Sequence, residues 1–174
     1  MLILCIVVSL NPKNEITRID FARSGAWSDR GAAFSVDTSL IYKYYGKGID
    51  GAQHCYVGRV SRSFWDTLNR KLESISYKTM DSIDRPRFGT MDANYFELIV
   101  HWKNNRRRII KVRALGGIDS ATNKVFEWLS NSHKLVNMQQ IQDTIKFETT
   151  YQRGGLDADW QKIIDLKNKS GRYP

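Results

Sequence analysis

The sequence is poor in the residues that cross-link small proteins and in those that separate a chain into modules. Its 174 residues include two cysteines, Cys5 and Cys55, which form neither a disulfide framework nor a zinc-binding spacing. Three prolines and twelve glycines leave little room for a flexible linker, and no internal repeat occurs. A chain of this length fits one domain plus appendages, and it can bury a core without disulfides or metal.

Catalytic and cofactor-binding motifs are also missing. The three histidines lie in unrelated places, and there is no phosphate-binding loop, nucleophile elbow or dinucleotide fingerprint. His54 and Cys55 are neighbours on a predicted strand, so their side chains point to opposite faces and do not form a base and nucleophile. Cys55 is predicted to be a small buried residue. We therefore expect no enzymatic activity, no catalytic residue, no cofactor and no metal.

The first residues are apolar without forming a complete targeting segment. The run at residues 2–8 lacks the basic start of a secretory signal and is too short to span a bilayer. It is either the remaining core of a signal peptide or a buried strand that ends at Asn11-Pro12. We favour the signal remnant, which predicts export to the periplasm or cell envelope, with a cytoplasmic location as the alternative. No transmembrane span is expected.

Positive charge is in excess and is concentrated in one stretch. The formal net charge is +9, and residues 101–113 hold six Lys and Arg side chains and no acid. Such a stretch indicates either an anion-binding patch or the solvated face of a secondary-structure element. The pattern of apolar residues around it distinguishes these two interpretations.

That pattern predicts a β-hairpin. Phe96 and Leu98 share one face of the first strand, and Ile110 and Val112 share one face of the return strand. A three-residue loop at 103–105 places the two apolar faces together, with Leu98 opposite Ile110 and Phe96 opposite Val112. A register shifted by two residues keeps the same faces together, so the sequence determines only which faces meet.

The basic residues then fall where a half-exposed hairpin must be polar. Arg107, Lys111 and Arg113 lie on the outer face with His101, and Arg106 lies near the end of the hairpin. We interpret them as a solvated face. Anion binding is the alternative, and its candidate residues are His101, Arg106, Arg107, Lys111 and Arg113.

The rest of the chain predicts further strands and two amphipathic helices. Strands are expected at 15–23, 34–36, 40–45 and 53–60. One helix begins after the N-cap Ser61, and a second begins after Asp119 or Ser120. Their core-facing stripes are Phe64, Leu68, Leu72 and Ile75, and Val125, Trp128, Leu129, Ser132 and Val136. The elements predict an α+β domain: an antiparallel sheet of about five to seven strands with two amphipathic helices packed on one face.

Two regions carry no clear pattern. Residues 77–93 form a long irregular connection, whose acids lack the alternating oxygen ligands of a calcium loop. A short helix is expected at 156–169. The predicted organisation is an apolar N-terminal segment at 1–15, an α+β domain at 16–136 and a C-terminal extension at 137–174.

The order of these segments resembles an uncharacterised bacterial domain family, domain of unknown function 6438. The resemblance rests on "FARSG", on "NYFELIV", on a hairpin that ends in "VRALGG", and on "YVGRVSRSFWDTL" with Gly58, Ser61, Phe64 and Leu68. It covers roughly Ile16 to Val136.

The chain departs from that family at one place. Members usually carry two cysteines in the loop after the first strand, where this chain has Ala26 and Gly31. The resemblance implies the fold and an envelope location, because such domains often follow signal peptides or lipoprotein anchors. It implies no activity.

The function expected from these observations is binding. We expect a non-enzymatic binding or accessory domain of the bacterial envelope that recognises an unknown protein or surface ligand. The alternative is a cytoplasmic, basic nucleic-acid-binding domain that uses the 103–113 hairpin.

Overall fold

The computed structural model of the protein describes residues 15–24, 31–82, 94–114 and 118–150. Several predictions lie outside these residues: the apolar N-terminal segment, residues 83–93 of the long connection, and the helix at 156–169. In the described ranges, no helix combines the length and the apolar character needed to cross a membrane.

The described part of the chain confirms the α+β prediction. Its elements are β1 (Ile16–Ser24), β2 (Ala32–Asp37), β3 (Ile41–Lys47), β4 (Gln53–Arg59), α1 (Arg62–Ser74), β5 (Asn94–Trp102), β6 (Arg107–Ala114), α2 (Ser120–Asn131), a 3₁₀-helix (Ser132–Leu135) and β7 (Met138–Ile141). The strands form one antiparallel sheet in the order β6-β5-β1-β2-β3-β4-β7. Both helices pack on the same face of this sheet.

Helix α1 begins where the sequence predicts. The Ser61 hydroxyl accepts a hydrogen bond from the Phe64 amide at 3.2 Å, which satisfies one of the free N–H groups of the first turn. The helix then buries Trp65, Leu68 and Leu72 against the sheet. Its predicted apolar stripe is therefore the core-facing stripe.

Helix α2 is capped as predicted but ends earlier than its apolar pattern indicates. The Asp119 carboxylate accepts hydrogen bonds from the amide and the hydroxyl of Thr122, at 2.9 and 2.6 Å. Phe126 packs with its ring centroid 5.9 Å from that of Phe21 on β1. The prediction that one stripe continues to Val136 is wrong. The helix gives way to the 3₁₀-helix, and Val136 is extended because the chain turns there to enter β7.

The hairpin has the predicted register. Leu98 pairs with Ile110 and Phe96 pairs with Val112. The three-residue loop ends at Asn105, whose φ of 59° lies in the left-handed region that Asn tolerates. The apolar face of the hairpin consequently points into the core under the helices.

The second face of the sheet is partly enclosed. Phe147 packs against Ala22, Ala33 and Tyr95, and Thr149 is buried. Both this covering segment and β7 come from the region that the sequence analysis placed in the C-terminal extension. The sheet and its cover thus continue beyond residue 136.

Strand β4 places its neighbouring His54 and Cys55 on opposite faces, as expected from the alternation of a strand. Cys55 pairs with Ile141 of β7. The prediction that Cys55 is buried is wrong: its side chain is half-buried, because it lies beside Tyr45 on the face of the sheet opposite the helices.

Candidate functional site

The hairpin residues predicted for anion binding do not form a single patch. Lys111 lies on the second face with its Nζ 3.7 Å from the buried Glu97 carboxylate. Arg106 is exposed at the turn, where its backbone amide donates to the side chain of Asn104 at 3.1 Å. The side chain of Arg113 lies outside the described part of the structure.

The other two candidates, His101 and Arg107, belong to a group of charged residues on the second face that we call the polar cluster. Its members are Arg18, Asp20, His101, Arg107 and Glu148. Arg18 donates to Oδ1 of Asp20 at 2.7 Å, and Arg107 donates to Oε2 of Glu148 at 2.9 Å. The Nε2 atom of His101 lies 3.4 Å from Oδ2 of Asp20 and 3.6 Å from Oε1 of Glu148.

The sheet register brings these residues together. His101 on β5 pairs with Arg18 on β1 and with Arg107 on β6, so three neighbouring strands present these side chains in a row. Asp20 follows two residues after Arg18 and therefore lies on the same face. Glu148 approaches from the segment that covers this face.

A buried contact holds that segment in place. Glu97 is only 2% exposed, and its Oε2 accepts hydrogen bonds from the amide and the hydroxyl of Thr150, at 2.6 and 3.1 Å. Since Thr150 is two residues from Glu148, this contact helps to position the Glu148 carboxylate above His101.

Burial dominates the electrostatics of the cluster. Asp20 is fully buried, and desolvation raises the pKa of its carboxyl above the ordinary value, while the hydrogen bond and charge of Arg18 act in the opposite direction. Asp20, His101 and Glu148 are the described residues whose ligand atoms approach closely enough to hold a cation, all within 4.8 Å of one another.

A second candidate lies on the helix side of the sheet, and we call it the aromatic cleft. It has a volume of about 410 Å³ and lies between β3, β4, β7 and the 3₁₀-helix. Its lining residues are Tyr44, Lys47, Gly48, Ile49, Asp50, Tyr56, His133, Met138 and Gln140. Ile49 is fully exposed at the edge of the cleft.

Stacked rings form the inner wall of the cleft. The rings of Tyr44 and His133 are nearly parallel, with centroids 4.5 Å apart, and the Tyr56 ring lies 5.9 Å from Tyr44. Gly46 makes this arrangement possible, because a Cβ at that position would overlap the Tyr44 ring. Burial lowers the pKa of His133, which favours the neutral form of its ring.

The polar edge of the cleft is a hydrogen-bonded chain of three side chains. The Gln140 amide donates to Nδ1 of His54 at 3.2 Å, which leaves the Nε2–H of His54 to donate to Asp50 at 2.7 Å. The hydrogen bond to His54 lowers the pKa of Asp50. The arrangement combines apolar walls with a few fixed polar groups, as binding pockets commonly do.

Sequence reasoning named His101 and Arg107 of the polar cluster but predicted neither site as a whole, because each is assembled from segments far apart in the chain. The polar cluster needs Glu148 from a segment without a periodic pattern, and the cleft needs β7. A signal for the cleft was present in Tyr42 and Tyr44, which stand at alternate positions of β3 and so place two rings on the same face of the strand.

A scan of the chain against models of known protein families finds no match, and a search of curated proteins finds no significant relative.

Proposed function

We propose that this chain is a non-enzymatic binding domain that captures an extended segment of a partner protein along β7, with one apolar or aromatic side chain of the partner in the aromatic cleft. The observation that carries the proposal is the position of β7. It is an edge strand of the sheet, and it also forms one wall of the cleft.

The free edge supplies the affinity in this proposal. In the described part of the chain, β7 pairs with β4 on one side and with no strand on the other. An edge strand exposes backbone N–H and C=O groups that pair readily with an extended peptide. A peptide added there continues the sheet at the ordinary spacing of about 4.8 Å between strands.

The cleft supplies the specificity. Met138 and Gln140 alternate on β7, so both point to the helix side, where they line the cleft. Every second side chain of an added strand points to that same side. Such a side chain meets Met138 and the ring of Tyr56, surfaces that favour an apolar or aromatic group over a charged one.

The nucleic-acid alternative has less support. Arg107 is paired with Glu148, and Lys111 lies beside Glu97, so these cations are already close to acids of the same chain. Arg106 is the hairpin cation that projects most freely among the described residues. A single exposed arginine is a weak basis for binding a phosphate backbone.

For location we propose the bacterial cell envelope. The apolar residues 2–8 and the resemblance to an envelope-associated family support this part of the proposal. Fractionation of the producing cells tests it, and recovery of the protein in the cytoplasm with residues 2–8 intact contradicts it.

Nuclear magnetic resonance with matched peptides tests the binding proposal. We use four acetylated, amidated pentapeptides, Thr-Val-Xaa-Val-Thr, in which Xaa is Phe, Leu, Ala or Asp. We expect amide shifts along β7 and side-chain shifts at Tyr44 and Tyr56, strongest with Phe and absent with Asp. Equal shifts for all four peptides, or shifts confined to another surface, contradict the proposal.

Two tyrosine variants provide the matched pair for this experiment. Tyr56 lies in the cleft, whereas Tyr45 is also half-buried on the sheet but lies on the opposite face. Tyr56→Ala is expected to weaken binding of the Phe peptide at least tenfold, and Tyr45→Ala is expected to leave it within about twofold. Similar losses in the two variants count against the cleft.

A further inference from the structure

We propose that the polar cluster is a binding site for a zinc ion, coordinated by Oδ2 of Asp20, Nε2 of His101 and Oε1 of Glu148. This site lies on the opposite face of the sheet from the aromatic cleft, so the inference does not depend on the proposed function. It rests on three features of the cluster: the hydrogen bonding of the individual atoms, their spacing, and their chemical type.

The first feature is that two of the three ligand atoms are buried without a hydrogen bond. Oδ2 of Asp20 and Nε2 of His101 are both inaccessible to solvent, and neither makes a hydrogen bond with a described residue. They face one another at 3.4 Å without hydrogen-bond geometry. Buried polar atoms are normally satisfied, because an unsatisfied one costs about 1–3 kcal/mol. A cation between them satisfies both atoms.

The arginines make their hydrogen bonds to the outer carboxylate oxygens. Arg18 donates to Oδ1 of Asp20 and Arg107 donates to Oε2 of Glu148, whereas Oδ2 and Oε1 are the oxygens nearest His101. Arg18 also approaches Oε1 of Glu148, with Nη1 at 3.6 Å, a distance too long for a hydrogen bond. Arg18 also donates from Nε to Ser35 at 3.1 Å, which fixes its orientation. Carboxylate ligands of metal ions are commonly oriented by such outer hydrogen bonds.

The spacing of the atoms fits a tetrahedral ion. Zinc bonds of 2.0–2.2 Å to nitrogen and oxygen place the ligand atoms of a tetrahedron roughly 3.3–3.6 Å apart. The Nε2 atom of His101 lies 3.4 Å from the Asp20 oxygen and 3.6 Å from the Glu148 oxygen. The third pair lies within 4.8 Å, and Glu148, on an irregular segment, can close that gap.

The ligand types select the metal class. One imidazole and two carboxylates are typical of zinc and related transition metals, whereas calcium and magnesium favour oxygen ligands alone. The side chain of Glu148 is 33% exposed, so solvent reaches one side of the cluster and water completes the coordination. The two carboxylates neutralise the charge of the ion. The positive charges of Arg18 and Arg107 lower the affinity of the site for the ion.

Cobalt binding to the tag-free, metal-stripped full chain tests the proposal. Tetrahedral Co²⁺ gives an intense visible absorption, and competition with Zn²⁺ gives the relative affinity. We expect one Co²⁺ per chain, displaced by Zn²⁺, and a rise in melting temperature on Zn²⁺ addition that a chelator reverses. Absence of binding overturns the proposal and leaves the ion pairs of Asp20 and Glu148 with Arg18 and Arg107 as the account of the cluster.

Variants locate the site. Glu148→Gln changes a partly exposed residue on an irregular segment and leaves the strands intact, and His101→Gln removes the nitrogen ligand. Each is expected to weaken Co²⁺ binding at least tenfold while the far-ultraviolet circular dichroism is unchanged. His54→Gln is the matched control, because His54 lies beside a single carboxylate, that of Asp50. This variant is expected to bind Co²⁺ as tightly as the parent protein does. Binding that survives the first two variants, or is lost in the control, overturns the proposal.

Discussion

At the scale of single residues, the stacking of His133 on Tyr44 couples stability to pH. Burial lowers the pKa of His133 in the folded protein, whereas in the unfolded chain it titrates near its ordinary value of 6.5. Between these two values the unfolded chain binds more protons than the folded protein does. The contribution of His133 to stability is therefore present above pH 6.5 and is lost as the pH falls toward the lower, folded pKa.

Replacement of the imidazole by a phenyl ring tests this coupling. His133→Phe keeps a ring beside Tyr44 but cannot be protonated, so we expect it to lose less stability than the parent between about pH 7 and pH 5. Urea unfolding at a series of pH values measures the free energy of unfolding of both proteins. The contributions of the other titrating groups largely cancel in the difference between the two. Parallel stability curves for the two proteins mean that the stacked imidazole does not titrate in this range.

At the scale of elements, the attachment of β7 depends on a close approach at Gly58. A Cβ at this position would lie 2.5 Å from the backbone oxygen of Asn137 and 2.9 Å from Cγ of Met138. A backbone atom cannot move aside as a flexible side chain can. A Cβ at position 58 would therefore force β7 to move away from β4. Gly58 thus has a packing role that its place in an alternating strand does not reveal.

Gly58→Ala is expected to destabilise the protein by about 1–3 kcal/mol and to release β7. Hydrogen exchange should show loss of protection at the amides of Met138–Ile141, while those of β1 and β5 remain protected. Val57→Ala, at the neighbouring position on the other face of β4, is the control and should leave β7 in place. Unchanged protection of β7 in Gly58→Ala contradicts this account of the contact.

The elements that the sequence predicts well are those with strong local signals. Ser61 and Asp119 mark the starts of the helices because their side chains cap free amides. The odd loop length and the apolar alternation determine which faces of β5 and β6 lie together, and the observed register agrees with the three-residue loop. Strand β7 carries four residues, too few for a pattern to be recognised. The polar cluster is equally hard to predict from local sequence patterns, because Asp20, His101 and Glu148 meet only through the sheet order and the covering segment.

At the scale of the whole molecule the net charge is +9, but the basic stretch of the hairpin is less available to a polyanion than the sequence indicates. Arg18, Arg107 and Lys111 each lie within 4.0 Å of an acid of the same chain. The basic stretch of the hairpin is consequently part of an internal network of opposite charges.

We therefore expect binding to a mixed-sequence oligonucleotide with a Kd on the order of 100 μM at physiological salt. Fluorescence anisotropy at two salt concentrations measures it, and the control is a folded variant in which Arg106, Arg107, Lys111 and Arg113 are alanine. Sub-micromolar binding that this variant loses would make the hairpin a nucleic-acid site after all.

The sheet order also has a consequence for synthesis on the ribosome. The first four strands are neighbours in the sheet in the same order as in the chain, so they can assemble as successive hairpins while the rest is still being made. At that stage β1 and β4 are both open edges, and β1 carries Ile19 and Phe21 toward the core. The two edges are later occupied by β5 and β7, which leave the ribosome after them. A pause in translation between these elements therefore prolongs the time in which the nascent chain can pair with another copy of itself.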